Sequence, residues 1–164
     1  MVLAYIGLGS NLEDPMDQVQ RAFDELDALA DTHLLKRSFL YQSRAIGPEQ
    51  PDYINAVAQL ETNLAPLELL DALQTIEQTH QRVRLQHWGP RTLDLDLLLY
   101  DNKTIQHPRL TVPHAYLTQR SFVLYPLADI DLNLHLPDGQ SLQALLQQCP
   151  FEGLTRLPEN RQSA

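Results

Sequence analysis

Apolar residues change their period several times along the chain. Val2–Ile6 reads as a first strand, closed by Gly7 and Gly9. Asp14-Pro15 opens a helix to about Ala30, with Val19, Ala22, Phe23, Leu26 and Leu29 on one face. Leu34–Gln42 reads as a second strand and Tyr53–Thr62 as a third. Between them lies a loop, Ala45–Asp52, broken by Gly47-Pro48 and Gln50-Pro51. Pro66 opens a second helix whose buried side carries Leu69, Leu70, Leu73 and Ile76. The segment from Arg82 to Arg91 predicts a long loop, a kind of segment that in a compact domain is usually functional or disordered. Leu93–Tyr100 alternates most clearly, with Leu93, Leu95, Leu97 and Leu99 on one face and Asp94, Asp96 and Leu98 on the other. Arg120–Leu127 and Ser141–Cys149 predict two further helical pieces. Strands separated by helices imply an α+β layered single domain over residues 1–158, with 159–164 as a flexible tail. Periodicity leaves the strand order open.

Composition narrows the setting. The length, 164 residues, fits one domain able to bury its own core. A single cysteine, Cys149, excludes an internal disulfide and points to a reducing, cytoplasmic compartment. The N-terminus lacks the basic region and long apolar run of a signal peptide, and no stretch approaches the roughly 20 apolar residues of a membrane span. A net charge of −9 argues against nucleic acid or an anionic membrane as partner. The charge is uneven, however. Gln78–Leu93 holds no acid, yet contains Arg82, Arg84, Arg91, His80 and His87. Such a stretch suits a small anionic ligand, and the planar guanidinium fork suits phosphate oxygens.

Candidate chemistry centres on Asp94-Leu95-Asp96. Residues two apart on a strand point the same way and sit roughly 6.6 Å apart, close enough to converge on paired magnesium ions. Magnesium needs few carboxylates when the substrate brings phosphate. An Asp-x-Asp triplet also fits the wet face of an edge strand, but aspartate is disfavoured in strands and the arginine segment lies just upstream. Arg82, Arg84 and Arg91 can stabilise charge developing in phosphoryl transfer, or serve merely as a solvated loop. Glu77 falls within the apolar stripe of the second helix, where a carboxylate needs a partner, and shares a face with Gln74. Tyr53 and Asn55 alternate on one strand face, an aromatic ring and an amide suited to a flat heterocycle. Gly7-Leu8-Gly9-Ser10-Asn11 reads as a tight turn, because it lacks the Gly-Lys-Ser/Thr ending of a phosphate loop. The six histidines show no zinc spacing.

Gly9-Ser10-Asn11-Leu12, Gln50-Pro51-Asp52-Tyr53-Ile54-Asn55-Ala56, and the block from Arg82-Val83-Arg84 through His87-Trp88-Gly89-Pro90-Arg91-Thr92-Leu93-Asp94-Leu95-Asp96 together resemble the 6-hydroxymethyl-7,8-dihydropterin pyrophosphokinases. Leu110–His114 and Arg120–Leu127 fit as well, so the resemblance spans nearly the whole chain. It implies a ferredoxin-like antiparallel sheet flanked by helices. It also implies attack of the pterin hydroxymethyl oxygen on the β-phosphorus of ATP, in folate synthesis; a monomer is the expectation, although the sequence does not give the oligomeric state. By position it gives Asp94 and Asp96 two magnesium ions, and Arg82 and Arg91 the role of assisting transfer. Gln74, Glu77, Arg84, Trp88, Leu97, Arg109, Thr111, His114 and Arg120 fall to ATP. Ser43, Ala45, Ile46, Tyr53, Asn55 and Phe122 fall to the pterin, with Tyr53 and Phe122 on its ring faces. The chain departs from the family pattern at Gln81, Leu85, Ala115 and Arg44-Ala45, and none of these departures removes a residue to which the transfer chemistry is assigned. Three rival readings are a transferase with another acceptor, a non-catalytic pterin- or nucleotide-binding module, and an interaction domain whose acidic surface meets a basic partner, which leaves the Trp88–Asp96 block unexplained. The first is distinguished by AMP as product. The second leaves Arg82 and Arg91 without work.

Overall fold

The structure, a computed structural model, describes residues 1–44, 52–81 and 92–158. Its elements in order are β1 (Val2–Ser10), α1 (Pro15–Asp27), β2 (Thr32–Arg37), β3 (Tyr41–Ser43), β4 (Tyr53–Thr62), α2 (Pro66–Gln81), β5 (Asp94–Tyr100), β6 (Ile105–His107), β7 (Leu110–Val112), α3 (Ser121–Ile130), α4 (Leu142–Gln147) and β8 (Leu154–Arg156), with a 3-10 turn at Leu117–Gln119. The main sheet runs β5-β1-β4-β3-β8, and β2 joins the remaining length of β4. Every pairing in it is antiparallel. The β1-α1-β2 and β4-α2-β5 halves interleave with β1 and β4 at the centre, which is the expected ferredoxin-like arrangement.

The two faces of the sheet bury different residues. On one, Ala4, Ile6, Leu8, Ala56, Ala58, Leu60, Leu95 and Leu97 pack against Val19, Ala22, Phe23 and Leu26 of α1 and Leu69, Leu73 and Ile76 of α2. On the other, Tyr5, Val57, Leu98 and Leu99 pack against Val123, Leu124, Leu127 and Ile130 of α3 and Leu142 and Leu145 of α4. Asp14 caps α1, its carboxylate accepting the Asp17 N–H at 3.4 Å.

Four sequence expectations shift. The first strand does not stop at the glycines: Gly7 pairs with Val57 and Asp96, and Gly9 with Asn55 and Asp94, so β1 continues as the central strand to Ser10. The first helix ends at Asp27 rather than near Ala30, and the Asp27 carboxylate accepts the Leu34 N–H at 2.8 Å, which turns the chain into β2. The expected Leu34–Gln42 strand divides in two at Ser38, whose N–H donates to the Val57 carbonyl at 2.9 Å but whose hydroxyl accepts the Val57 N–H, also at 2.9 Å. Leu99 parts company with Leu93, Leu95 and Leu97. Tyr5 pairs with Leu99 but Ile6 with Leu97, so Leu98 is an extra residue. A bulge of this kind reverses the alternation beyond it. Leu99 thereby joins the α3 core and Tyr100 the α1/α2 core.

Candidate active site

The α3 side of the sheet is only partly covered. Where α3 does not reach, a cavity of about 520 Å³ opens over the ends of β1, β4 and β5. Its floor follows from register. Asn55 on β4, Gly9 on β1 and Asp94 on β5 lie in one row, and Val57, Gly7 and Asp96 in the next. The two glycines separate the carboxylates of β5 from the amide of β4 and place no side chain between them. A Cβ on Gly9 would sit 3.1 Å from Asn55 Nδ2, and one on Gly7 3.4 Å from the Leu98 methyls. Gly7 and Gly9 are thus site residues that sequence reading took for a turn. Their alternation, in step with Asp94 and Asp96, was the available signal.

Ser43, Tyr53, Asn55, Asp94, Asp96, Arg120 and Phe122, all singled out from the sequence, line this one cavity; Arg44, Leu98 and Val123 join them. The Ser43 hydroxyl donates to Asn55 Oδ1 at 2.7 Å, which orients the amide and turns its nitrogen toward Gly9. Asn55 is buried and Tyr53 half-buried. The Arg120 guanidinium lies over two rings, 5.0 Å from the Tyr116 centroid and 5.6 Å from that of Phe122, a cation–π arrangement that holds its planar fork at the cavity.

Glu77 anchors the carboxylate strand. Its Oε2 accepts the Leu95 N–H at 2.7 Å, at the residue between the two aspartates. The stripe-edge carboxylate predicted to need a partner therefore has one on β5. His114 Nε2 stands 4.0 Å from Asp96 Oδ2. The Tyr116 N–H donates to His114 Nδ1 at 3.4 Å, so in the neutral ring the proton is on Nε2, facing the aspartate.

Other predicted residues lie outside the cavity lining. Arg109 donates to Asp71 Oδ1 at 2.5 Å and to Gln74 Oε1 at 3.3 Å, on the exposed side of α2. Thr111 is exposed on β7. Leu97 points to the opposite face and is buried in the α1/α2 core. Arg82, Arg84, Trp88, Arg91, Ala45 and Ile46 fall outside the described residues, as does the predicted tail.

Asp94 and Asp96 offer hard oxygen donors on one face, with Asp96 about half exposed. Among the described residues no three histidine, cysteine, aspartate or glutamate side chains gather into a metal cage. The donor set therefore fits a cation that completes its shell with water and substrate phosphate, as magnesium does.

Residues 5–132 match the family model described as 7,8-dihydro-6-hydroxymethylpterin-pyrophosphokinase (HPPK). A Pseudomonas aeruginosa protein named 2-amino-4-hydroxy-6-hydroxymethyldihydropteridine pyrophosphokinase is 55% identical over 155 residues, covering 94% of this chain and 96% of its own. A Haemophilus influenzae protein of the same name is 51% identical, covering 90% of this chain and 93% of its own. Among solved structures, an HPPK-DHPS protein in complex with substrates shares the fold with a TM-score of 0.75 at 13% identity. That match spans 94% of this chain and 46% of the larger one.

Proposed function

The chain belongs to the 7,8-dihydro-6-hydroxymethylpterin-pyrophosphokinase family, and we propose that the cavity over Gly7 and Gly9 is where it carries out that family's reaction. The enzyme transfers pyrophosphate from ATP to 6-hydroxymethyl-7,8-dihydropterin in folate biosynthesis. The hydroxymethyl oxygen bonds to the β-phosphorus and loses its proton. The bridging oxygen on the α-phosphate leaves with AMP.

In this reading the pterin lies against Tyr53 and Phe122, and Asn55 reads its edge. Ser43 serves by fixing the Asn55 amide, since an amide held by one hydrogen bond presents a defined donor to the ligand. Asp94 and Asp96 hold two magnesium ions, which when bound neutralise triphosphate charge. Glu77 keeps the Asp94–Asp96 backbone in place through the Leu95 N–H. Arg120 contributes a guanidinium fork to phosphate. Arg82 and Arg91 assist transfer, while Gln74, Arg84, Trp88, Arg109, Thr111 and His114 attend the nucleotide. Leu97, its side chain in the core, is left with its backbone to offer. We place the enzyme in the cytoplasm, where a lone cysteine is at home. No helix among the described residues is long and apolar enough to cross a membrane.

The observation that carries this reading is the row Asn55–Gly9–Asp94. It sets a base-reading amide and a carboxylate pair on either side of a bare strand, in one cavity. Calorimetry of pterin binding tests it. Asn55→Ala should weaken pterin binding by roughly tenfold, the cost of leaving a hydrogen-bonding ligand edge unpaired. Wild-type pterin affinity in a folded Asn55→Ala protein would refute the pterin placement.

A further inference from the structure

The apolar stripe of α2 ends on a histidine. Leu69, Leu73 and Ile76 are buried at helical spacing, and the next position on that face is His80, whose side chain is 0% exposed. Its Nδ1 meets Gln18 Oε1, and its Nε2 meets Glu25 Oε1 at 2.5 Å. Gln18 cannot turn its amide nitrogen to the ring without losing another bond, because Gln18 Nε2 already donates to the Glu13 carbonyl at 2.8 Å. Both ring nitrogens are therefore held by oxygen atoms of α1.

A leucine would fill this stripe position at no polar cost, so the polar set fixes something that packing does not. It ties the last turn of α2 to two residues of α1 that lie about two turns apart along α1. The same last turn begins with Glu77, and after Ile76 no apolar side chain of α2 holds it down. Helix ends fray unless their turns are tied. Glu77 in turn holds the Leu95 N–H between Asp94 and Asp96. We propose that His80, with Gln18 and Glu25, is a positioning residue for the magnesium carboxylates: it fixes the turn that carries Glu77, and Glu77 fixes β5. The inference rests on the reading of Asp94 and Asp96 as metal ligands.

The test is calorimetric binding of α,β-methylene ATP, which cannot be cleaved between those phosphates, with magnesium and with EDTA. His80→Leu should weaken magnesium-dependent binding by roughly tenfold, the usual scale for losing an outer partner of a metal site. His80→Gln, whose amide still donates, should recover most of the loss. Glu77→Gln combined with His80→Leu should bind no more weakly than the weaker single variant, because both act on one path. Should His80→Leu not fold, Glu25→Ala, at a partly exposed position, takes its place with a loss in the same direction. Wild-type affinity in the folded variants, or losses that multiply, would overturn the role of His80. Asp94→Asn separates the two claims. If it too binds as wild type, the metal reading itself fails; if it alone weakens binding, only the inference about His80 does.

Discussion

Gly9→Ala is the smallest change that probes the cavity floor. Gly9 lies mid-strand between Asn55 and Asp94, and its backbone is not in the left-handed region, so a methyl group introduces no backbone strain. Replacing a strand glycine by alanine removes chain entropy from the unfolded state, a gain of about 0.5–1 kcal/mol. Against this, the new Cβ would sit 3.1 Å from Asn55 Nδ2 and 3.9 Å from Tyr53 Cδ1. The amide must yield by a few tenths of an ångström, and it yields against the 2.7 Å bond from Ser43. Stability should therefore change by less than about 1 kcal/mol, the propensity gain offsetting the displaced amide. Pterin affinity should fall by roughly tenfold, the equivalent of about 1.4 kcal/mol for one misplaced hydrogen bond. ATP affinity should be untouched. Urea unfolding and calorimetry with each ligand measure the three quantities. Gly7→Ala is the control, since the nearest atoms to its Cβ would be the Leu98 methyls at 3.4 Å rather than the amide. Equal loss of pterin affinity in both variants, or none in either, would refute the claim that the bare strand exists to seat the amide.

Asp96→Ala should lower turnover by roughly 10²–10³-fold, the scale for removing one electrostatic contributor, while unfolding at nearly the wild-type temperature because the residue is about half exposed. Glu77→Ala should cost about 1–3 kcal/mol in urea unfolding, since it leaves the Leu95 N–H without its acceptor. Alkaline pH should unfold the protein through its buried tyrosines. Burial pushes the hydroxyls of Tyr41, Tyr5 and Tyr100 upward, and Asp129 adds to the shift at Tyr41. A raised folded value means that the native state holds the proton more tightly, so this contribution is present below the unfolded value of about 10 and is lost as pH climbs above it. Tyr41→Phe should flatten that alkaline fall in a denaturation series, and an unchanged slope would contradict the assignment.

Much of this arrangement was legible in the sequence, and the exceptions have physical causes. Tyr53–Thr62 reads correctly end to end because its alternation is bounded by breakers on both sides, and α2 starts at Pro66 as its stripe predicts. Glycine is the ambiguous letter. Gly7 and Gly9 fit a turn locally and a bare strand globally, and only ladders on both sides decide between them. Leu99 was misplaced because one bulged residue reverses every later side chain, and no local pattern marks where a bulge falls. Strand β8 escaped notice because its three residues are ordered by β3, more than a hundred positions earlier. Asp94, Asp96, Tyr53 and Asn55 were singled out by residue type and spacing, and the structure sets all four around one cavity. That Asn55 and Asp94 flank one glycine across β1 is a fact of register, which the sequence does not display.

Nucleotide product analysis of the wild-type protein beside Asp96→Ala tests the central claim most directly. With magnesium, ATP and 6-hydroxymethyl-7,8-dihydropterin, the wild type should form AMP one-for-one with pterin pyrophosphate, and only when pterin is present. Folded Asp96→Ala should form little of either. ADP as the product, AMP without pterin, or full AMP formation by the Asp96→Ala protein would contradict the account.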